Sequence, residues 1–446
     1  MKLPLVYLTA ALSLGTQGAD VSGLAARRPP EWALNGVIYE INPRTFSPAG
    51  NFAGITARLD DLKKLGVTVL WLMPIHPSGE LKQKGTYGSP YAVRDYEAIN
   101  PGYGTAEDLK SLITAAHGRG FRVIIDIVAN HTSWDSVLMK HPEYYKKDAA
   151  GHIISPIPDW ADVAGLDYSN AHLREYMIGM LEGWLRKFDL DGFRCDAAGM
   201  VPTDFWEQAR PRLEAVKPDV FMLAEWDTPE LLVKAFDIDY AWTFHKTLTE
   251  VLQTGKPASA IREDWERQKS KFPHGAVHMV FSDNHDEKRA IARFGERGAL
   301  AASALVFALE GVPMLYNGME VGDTTESGAP AMFENLRVFW GIGERRPEFM
   351  ETYKKLIELR KRHSALVKGE MKWLDNNEES RVVSFARNDE AEEIVALANL
   401  SNRPCSVRVT MEMGGAFVDL VSGAKTDPTA VDLEAFGWRW FRRIAR

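Results

Sequence analysis

Residues 192–196, Gly-Phe-Arg-Cys-Asp, form the stretch around which the rest of the sequence is organised. They read as a short β-strand in which Arg194 and Asp196 lie two residues apart, so both side chains leave the same face of the strand. An arginine beside a carboxylate favours the charged form of that carboxylate. We therefore expect Asp196 to be ionised at neutral pH and available as a nucleophile or a fixed negative charge. The alternative is an Arg–Asp ion pair that serves only the structure.

This strand belongs to an alternation of strands and helices that extends from Glu31 to about Arg362. The candidate strands are 37–41, 67–73, 122–128, 192–196, 220–224, 239–243, 277–282 and 313–316. Helical periodicity is clearest at 55–65, 105–117, 171–188, 299–309 and 348–363. Eight strand–helix units in roughly 330 residues predict a (β/α)8 TIM barrel, which we place at 31–368. A doubly wound open sheet is the alternative, because alternation alone does not separate a closed sheet from an open one.

Two segments depart from the alternation. The third strand is followed by a stretch rich in Pro, Gly and Asp, and we expect residues 132–170 to form a small inserted loop domain that walls a cleft. From residue 369 onward the pattern changes to short alternating runs such as 382–386 and 438–444. These runs predict a C-terminal all-β domain at 369–446, a β-sandwich.

Composition excludes several classes of protein. The chain has 446 residues, of which 45% are hydrophobic, and this is enough for a large core. A net charge of -8 argues against a nucleic-acid partner, since phosphate binding needs a basic surface. The chain has 2 cysteines, Cys195 and Cys405, and neither has the neighbours of a metal site or a catalytic thiol.

The N-terminus has the layout of a secretory signal peptide, which we place at 1–19. Lys2 precedes an apolar run from Leu3 to Leu14, and small and polar residues follow up to Ala19. We therefore expect a secreted or periplasmic protein, with a disordered tail as the alternative reading. No later stretch approaches the run of about 20 apolar residues that a membrane span needs.

Polar residues follow several of the predicted strands at their carboxyl ends. These are Asn130 and His131 after the third strand, Arg194 and Asp196 in the fourth, Glu225 after the fifth, and His285 and Asp286 after the seventh. In a parallel barrel all of these positions lie at the C-terminal face, where active sites of this fold are built. Asp196 and Glu225 are on adjacent strands, so their carboxyl groups can face each other across about 5 Å, the separation of a retaining glycosidase pair.

The surroundings of the two acids suggest different roles. Glu225 follows the apolar residues 221–224 and precedes Trp226, so its pKa should rise, which suits a general acid. Asp196 has Arg194 beside it, which suits a nucleophile. His131 and His285 can donate hydrogen bonds to sugar hydroxyls; a single histidine is more often a structural residue, but together at the ends of these strands they indicate a site.

The ordered motifs resemble the four sequence regions of the α-amylase family, glycoside hydrolase family 13. They are 126–131, 192–196, Glu225 and 284–286. The resemblance extends from Ile38 to about Arg362, and the trailing β domain resembles the C-terminal domain of that family.

The resemblance implies a role for each matching residue. Asp196 matches the nucleophile, Glu225 the general acid/base, and Asp286 the third acid, which stabilises the transition state. The implied substrate-binding residues are Tyr91, His131, Arg194 and His285, with Arg194 orienting the nucleophile and Tyr91 stacking on the sugar.

One departure from the family pattern concerns calcium. Many relatives follow the nucleophile with a Lys-His pair that binds substrate and, through a backbone carbonyl, calcium, whereas this chain has Gly199 and Met200. Asn130 and Asp167 can still serve as oxygen ligands. We therefore assign no certain cofactor and no metal ligands, and calcium stays an open alternative.

The implied activity is that of a retaining α-glycoside hydrolase that cleaves α-1,4-glucosidic bonds of starch-like or maltodextrin chains by double displacement. Within the same family, a transglycosylase or a hydrolase of α-1,6 bonds or cyclodextrins is the alternative. A non-catalytic glucan-binding protein is the alternative from another class.

Overall fold

The computed structural model describes residues 19–411 and 416–444. Apart from Ala19, the predicted signal peptide at 1–19 lies outside the described residues. Among the described residues, none of the helices is both long enough and apolar enough to cross a membrane.

Eight parallel strands close into a barrel. In chain order, the barrel strands and one hairpin are β1 (Ile38–Ile41), β2 (Val69–Leu72), β3 (Arg122–Val128), the hairpin strands β4 (His131–Ser133) and β5 (Val163–Gly165), β6 (Gly192–Asp196), β7 (Phe221–Ala224), β8 (Ile238–Tyr240), β9 (His278–Val280) and β10 (Val312–Tyr316). Ile38 of β1 pairs with Val69 of β2 and with Met314 of β10, which closes the sheet. The predicted (β/α)8 barrel is confirmed, and the open doubly wound sheet is excluded.

Helices surround the barrel. They are α1 (Glu31–Leu34), α2 (Phe52–Thr56), α3 (Leu59–Leu65), α4 (Ala106–His117), α5 (Ala171–Phe188), α6 (Thr203–Val216), α7 (Leu231–Lys234), α8 (Trp242–Thr254), α9 (Ser259–Lys269), α10 (Ala290–Ala308), α11 (Ala329–Met332), α12 (Pro347–Arg362) and α13 (Ser364–Lys368). Short 3₁₀ helices lie at Val137–Lys140, Pro142–Tyr144, Ala198–Met200, Met319–Val321 and Trp340–Glu344. In α4, a capping box between Thr105 and Asp108 satisfies the first N–H groups and fixes where the helix begins.

Most predicted elements are shifted by one or two residues, and three differ more from the sequence-based prediction. The strand predicted at 239–243 ends at Tyr240, because Trp242 begins α8 and stacks its ring on Tyr240 at 5.3 Å. The helix predicted at 299–309 begins nine residues earlier, at Ala290, and includes a kink at Gly295, whose φ of 72° interrupts the helical periodicity. The single helix predicted at 55–65 is two helices, α2 and α3.

The inserted loop after β3, residues 132–170, which we call the excursion, has local structure of its own. The β4–β5 hairpin pairs His131 with Gly165, and the Tyr145 hydroxyl lies 2.9 Å from the Thr132 hydroxyl. Tyr168 donates a 2.7 Å hydrogen bond to the Ala129 carbonyl. These contacts fasten the excursion to the carboxyl end of β3, beside the mouth of the barrel.

In the described residues of the C-terminal part, all of the paired strands are antiparallel. They are β11 (Glu370–Trp373), β12 (Asp375–Asn376), β13 (Val382–Asn388), β14 (Glu393–Asn399), β15 (Cys405–Thr410), β16 (Phe417–Asp419), β17 (Lys425–Thr426), β18 (Ala430–Leu433) and β19 (Trp438–Arg443). They form a six-stranded sheet, β11-β13-β14-β19-β16-β17, and a three-stranded sheet, β12-β15-β18. Apolar side chains from both sheets, among them Val395, Val407 and Leu433, pack together in one core. The predicted C-terminal all-β domain is confirmed.

The six-stranded sheet is buried on both faces. Alternate residues of β13, Val382 and Ala386, point into the sandwich core, whereas Val383 and Phe385 join the core of the barrel. Arg387, also on the barrel face, donates a 2.8 Å hydrogen bond to the carbonyl of Ala308 at the end of α10. The core of the barrel therefore extends onto one face of the six-stranded sheet, and the separate core of the sandwich lies on the other face.

Candidate active site

The structure gathers the predicted acids at the carboxyl ends of the barrel strands. Arg194 and Asp196 lie on β6, Glu225 directly follows β7, and Asp286 lies in the loop after β9. Both Asp196 and Glu225 are largely enclosed, with side chains 11% and 12% exposed, whereas Asp286 is 34% exposed. The roles of these residues stay predictions, but their convergence is a feature of the fold.

Arg194 is the fixed cation at the centre of the site. Its side chain is fully buried, and Nη1 lies 2.9 Å from Asp126 and 3.1 Å from Asp196. Nη2 lies 3.0 Å from Oε1 of Glu225, and Nε donates to the Tyr240 hydroxyl at 3.1 Å. Because one guanidinium contacts both acids, it fixes their relative position.

Asp196 has the ionisation that a nucleophile needs. Burial raises its pKa to about 6, and the carboxylates of Asp126 and Asp286 add to this rise, while Arg194 opposes it. At neutral pH the Asp196 carboxyl is therefore mostly ionised. Arg194 lowers the pKa of Asp196, as expected from the sequence, but burial raises this pKa by more.

Glu225 has the ionisation that a general acid needs. Burial raises its pKa to about 8, with further contributions from the charges of Asp196 and Asp286. The backbone N–H of Ala197 donates a 2.7 Å hydrogen bond to Oε2 of Glu225 and holds the carboxyl in place. Two carboxyl groups whose pKa values are pushed apart in this way suit the roles of an acid and a nucleophile.

Tyr91 and His285 form one wall of the site. Their rings stack at 5.2 Å, and the Tyr91 hydroxyl lies 2.8 Å from Nε2 of His285. Burial alone would lower the pKa of His285, but the carboxylates of Asp286 and Glu40 raise it to about 9. His285 is therefore a cation at neutral pH, suited to donating hydrogen bonds to a ligand.

His131 differs from His285 in its charge. It is buried, and burial lowers its pKa to about 4, so its imidazole is neutral. Its Nδ1 lies 3.2 Å from Nδ2 of Asn130, and its ring meets that of Trp160 edge-on at 5.4 Å. The backbone of Tyr91 also hydrogen-bonds His131, which places the imidazole next to the stacked wall.

Sequence reasoning missed three side chains of the site. Glu40 of β1 contacts Nδ1 of His285 and fixes the orientation of the ring. The aromatic rings of Trp71 and Tyr240 lie against the Arg194 guanidinium at 5.1 and 5.7 Å. The signal for Glu40 was present, since a carboxylate inside an otherwise apolar strand has to find a partner.

The residues present do not fit a calcium ion. Calcium takes six to eight hard oxygen ligands. Here Nδ2 of Asn130 lies 3.9 Å from the thioether sulfur of Met200, a soft atom that is not a ligand of calcium. The carboxylate of Asp167 accepts the backbone N–H of Ser169 at 3.0 Å. Within 19–411 and 416–444, no group of three or more His, Cys, Asp or Glu side chains is placed to hold a metal.

Trp226 occupies the space beside Gly199. A Cβ atom at Gly199 would lie 2.2 Å from the Trp226 ring, so the ring and the glycine backbone are in direct contact. Trp226 is partly exposed and directly follows Glu225. Glycine at this position is therefore a packing requirement of the tryptophan.

Comparison with known proteins agrees with this geometry. The profile described as alpha amylase, catalytic domain, matches residues 21–151 and 158–344. Residues 379–441 match the D-apionate lactonase, C-terminal immunoglobulin-like domain.

Individual relatives extend over most of the chain. Alpha-amylase MalA from Haloarcula japonica is 30% identical over 437 residues, which cover 92% of this chain and 61% of MalA. The intracellular maltogenic amylase of Bacillus subtilis is 27% identical over 420 residues, 84% of this chain and 70% of that protein. The crystal structure of a noncanonic maltogenic alpha-amylase, AmyB from Thermotoga neapolitana, is 30% identical with a TM-score of 0.83, and the match covers 93% of this chain and 99% of AmyB. With the profile match extending over more than half of its length, the chain belongs to the alpha-amylase family of glycoside hydrolases.

Proposed function

We propose that the protein is a retaining hydrolase of α-1,4-glucosidic bonds in maltodextrins or starch-like chains. The observation that carries this proposal is the pair Asp196 and Glu225, which share the Arg194 guanidinium while their pKa values stand at about 6 and about 8. The names of the relatives, two of them maltogenic amylases, support the choice of an α-glucan substrate.

The reaction takes place in two displacements at the anomeric carbon. Glu225 gives its proton to the glycosidic oxygen as a carboxylate oxygen of Asp196 attacks the anomeric carbon, and the bond to the leaving sugar breaks. Glu225, now a carboxylate, takes a proton from a water molecule that attacks the same carbon. The Asp196 ester bond breaks, and the product has the α configuration of the substrate.

The remaining residues of the site bind and orient the sugar. Tyr91 offers its ring to an apolar sugar face, and the charged His285 donates a hydrogen bond to a sugar hydroxyl. Neutral His131, which lies next to Tyr91, accepts a hydrogen bond from a sugar hydroxyl or donates one to it. Asp286, the most exposed of the acids, accepts hydrogen bonds from hydroxyls and adds negative charge near the oxocarbenium-like transition state.

Product analysis tests this proposal. The purified chain is incubated with soluble starch, maltoheptaose, pullulan and cyclodextrin, and the anomeric configuration of the first products is followed by NMR. We expect α-configured maltooligosaccharides from the α-1,4-linked substrates. Products with the β configuration would contradict the retaining mechanism. Transfer products longer than the substrate would identify a transglycosylase, because the two activities share the first displacement.

We also propose that the protein is exported. The support comes from Lys2 and the apolar run at 3–14. The Bacillus subtilis relative is named intracellular, so the relatives do not carry this proposal. Cell fractionation followed by N-terminal sequencing tests it: we expect a mature protein outside the cytoplasm that begins near residue 20. An unprocessed chain in the cytoplasm would contradict export.

A further inference from the structure

Trp160, in the second half of the excursion, differs from the other tryptophans around the site. Among the described residues, Trp134 and Trp226 pack against the apolar core of the barrel, whereas Trp160 is partly exposed and does not belong to that packing. Its ring instead meets the imidazole of His131 edge-on at 5.4 Å. A large aromatic ring that lies outside the core and beside a residue of the site is a candidate for contact with a ligand.

The backbone is anchored on both sides of Trp160. The ammonium group of Lys84 donates to the carbonyl of Asp159 at 3.0 Å. The indole N–H of Trp134 donates to the carbonyl of Ala161 at 2.9 Å. Because these contacts hold the neighbouring residues in place, the Trp160 ring can bind a ligand at a low cost in conformational entropy.

The order of the barrel strands decides where Trp160 lies in the mouth of the barrel. Strands β3, β6 and β7 are neighbours, and the loops that follow them carry Trp160, Met200 and Trp226. We call these three residues the apolar strip. Since their strands are consecutive in the barrel, the apolar strip lies along one side of the mouth.

Contacts between the loops join the two ends of the apolar strip. The Trp226 ring lies against the glycine that precedes Met200, and the Met200 sulfur lies 3.9 Å from Nδ2 of Asn130. The same Nδ2 lies 3.2 Å from Nδ1 of His131, whose ring Trp160 meets. The loops that carry the apolar strip are therefore packed against each other.

The apolar strip lies on the side of the site where the leaving sugar belongs. Glu225 protonates the glycosidic oxygen, so the leaving sugar lies beside Glu225 and Trp226. The sugar that becomes attached to Asp196 lies along Tyr91 and His285, and His285 follows β9, which β8 separates from β7. The leaving part of the chain therefore extends along the loops after β7, β6 and β3.

We propose that Trp160 binds the leaving part of the glucan by stacking on a sugar ring, and that the apolar strip is the binding surface for this part of the chain. This inference rests on the proposed function. The apolar strip contains no charged side chain, so the ligand that it suits is the apolar face of a sugar and not an ionic group. Trp160 is thus a residue that determines specificity for the leaving group.

The test compares maltoheptaose with α-maltosyl fluoride, whose leaving group is not a sugar. Trp160→Ala should lower kcat/KM on maltoheptaose about tenfold, the equivalent of one aromatic contact, and leave kcat/KM on the fluoride nearly unchanged. The ratio of the two values does not depend on how much of the preparation is folded, so partial unfolding would not imitate this effect. Trp160→Phe should recover most of the loss.

The matched control is Ile154→Ala, because Ile154 is an apolar residue of the same excursion and is 38% exposed. This variant should keep the wild-type ratio. Equal losses on both substrates in Trp160→Ala would overturn the inference, because Trp160 would then act through His131 on the transferred sugar. Wild-type values on both substrates would overturn it as well. A wild-type protein that cleaves neither substrate would contradict the proposed function itself.

Discussion

The backbone N–H of Ala197 donates a hydrogen bond of 2.7 Å to Oε2 of Glu225, so the residue after the proposed nucleophile holds the proposed general acid. Ala197 reaches this position with a φ of +43°, in the left-handed region that costs a residue with a side chain about 1–2 kcal/mol. The hydrogen bond that Ala197 makes to Glu225 in this conformation offsets part of that cost.

Glu225→Gln should separate the two displacements. On maltoheptaose we expect kcat to fall by about 10²–10⁴-fold, because the leaving sugar needs a proton. α-Maltosyl fluoride needs none, so rapid release of one equivalent of fluoride should persist while the covalent intermediate accumulates and is visible by intact mass spectrometry. Asp196→Asn is the matched control, and it should show neither the burst nor the added mass. A burst in Asp196→Asn would refute its role as the nucleophile.

The dependence of kcat/KM on pH should be bell-shaped, with its maximum near pH 7. Activity should be lost as the pH falls through about 6, because Asp196 becomes protonated there and can no longer attack. It should be lost again as the pH rises through about 8, because Glu225 then gives up the proton that it has to donate. Initial rates on maltoheptaose at low substrate concentration measure both limbs. A profile that is flat across both pKa values would contradict the assignment.

Chelation with EDTA should leave both kcat/KM and the thermal midpoint unchanged. The reason is that the side-chain amide of Asn130 lies against the soft sulfur of Met200, whereas calcium needs six to eight hard oxygen ligands. Thermal unfolding and activity are measured after dialysis against EDTA and again after calcium is added back. A loss that calcium restores would show that an ion binds this chain through other oxygen atoms.

Trp226→Ala should weaken binding of the leaving sugar but leave the reaction at Asp196 and Glu225 nearly unchanged. We expect kcat/KM on maltoheptaose to fall about tenfold, the equivalent of one aromatic contact of about 1.4 kcal/mol. Hydrolysis of α-maltosyl fluoride should be nearly unchanged, because fluoride leaves without a sugar beside Trp226. Trp226→Phe is the conservative control and should recover most of the loss. Equal losses on both substrates would indicate that Trp226 only supports Gly199 and the fold.

Arg387→Met should destabilise the protein, although Arg387 lies far from the acids. The buried guanidinium donates to the carbonyls of Ala308 and Gly369, and these acceptors would lose their partner. We expect the free energy of unfolding to fall by about 2–4 kcal/mol, as measured by urea denaturation. Arg442→Met, at an exposed position of β19, is the control and should stay within about 0.5 kcal/mol of the wild type.

The barrel and its acids could be predicted from the sequence for a simple physical reason. Parallel strands place all of their carboxyl ends on one face, so Asp196, Glu225 and Asp286 converge once the strands are recognised. The partner of His285 could not be found in this way. Glu40 is 245 residues away in the chain, and their contact depends on how the barrel closes.

Two features that depend on the backbone could not be predicted from the sequence patterns either. Gly295 concealed the first half of α10, because a residue with a φ of 72° breaks helical periodicity although the helix continues beyond it. Residues 80–88 have the composition of an ordinary polar loop. Their contacts with Trp134 and Phe333 exist only because three separate loops meet above the barrel.

The six-stranded sheet, buried on both faces, has a consequence for how the protein unfolds. Removal of the residues after 369 would uncover the apolar side of the barrel that Phe385 and Trp440 cover, and would release the end of α10. The C-terminal sandwich is therefore not a detachable module, and calorimetry should show a single cooperative transition for both parts. α10 follows the loop that carries Asp286. Loosening of the sandwich would therefore also loosen this loop, and activity would be lost at a lower temperature.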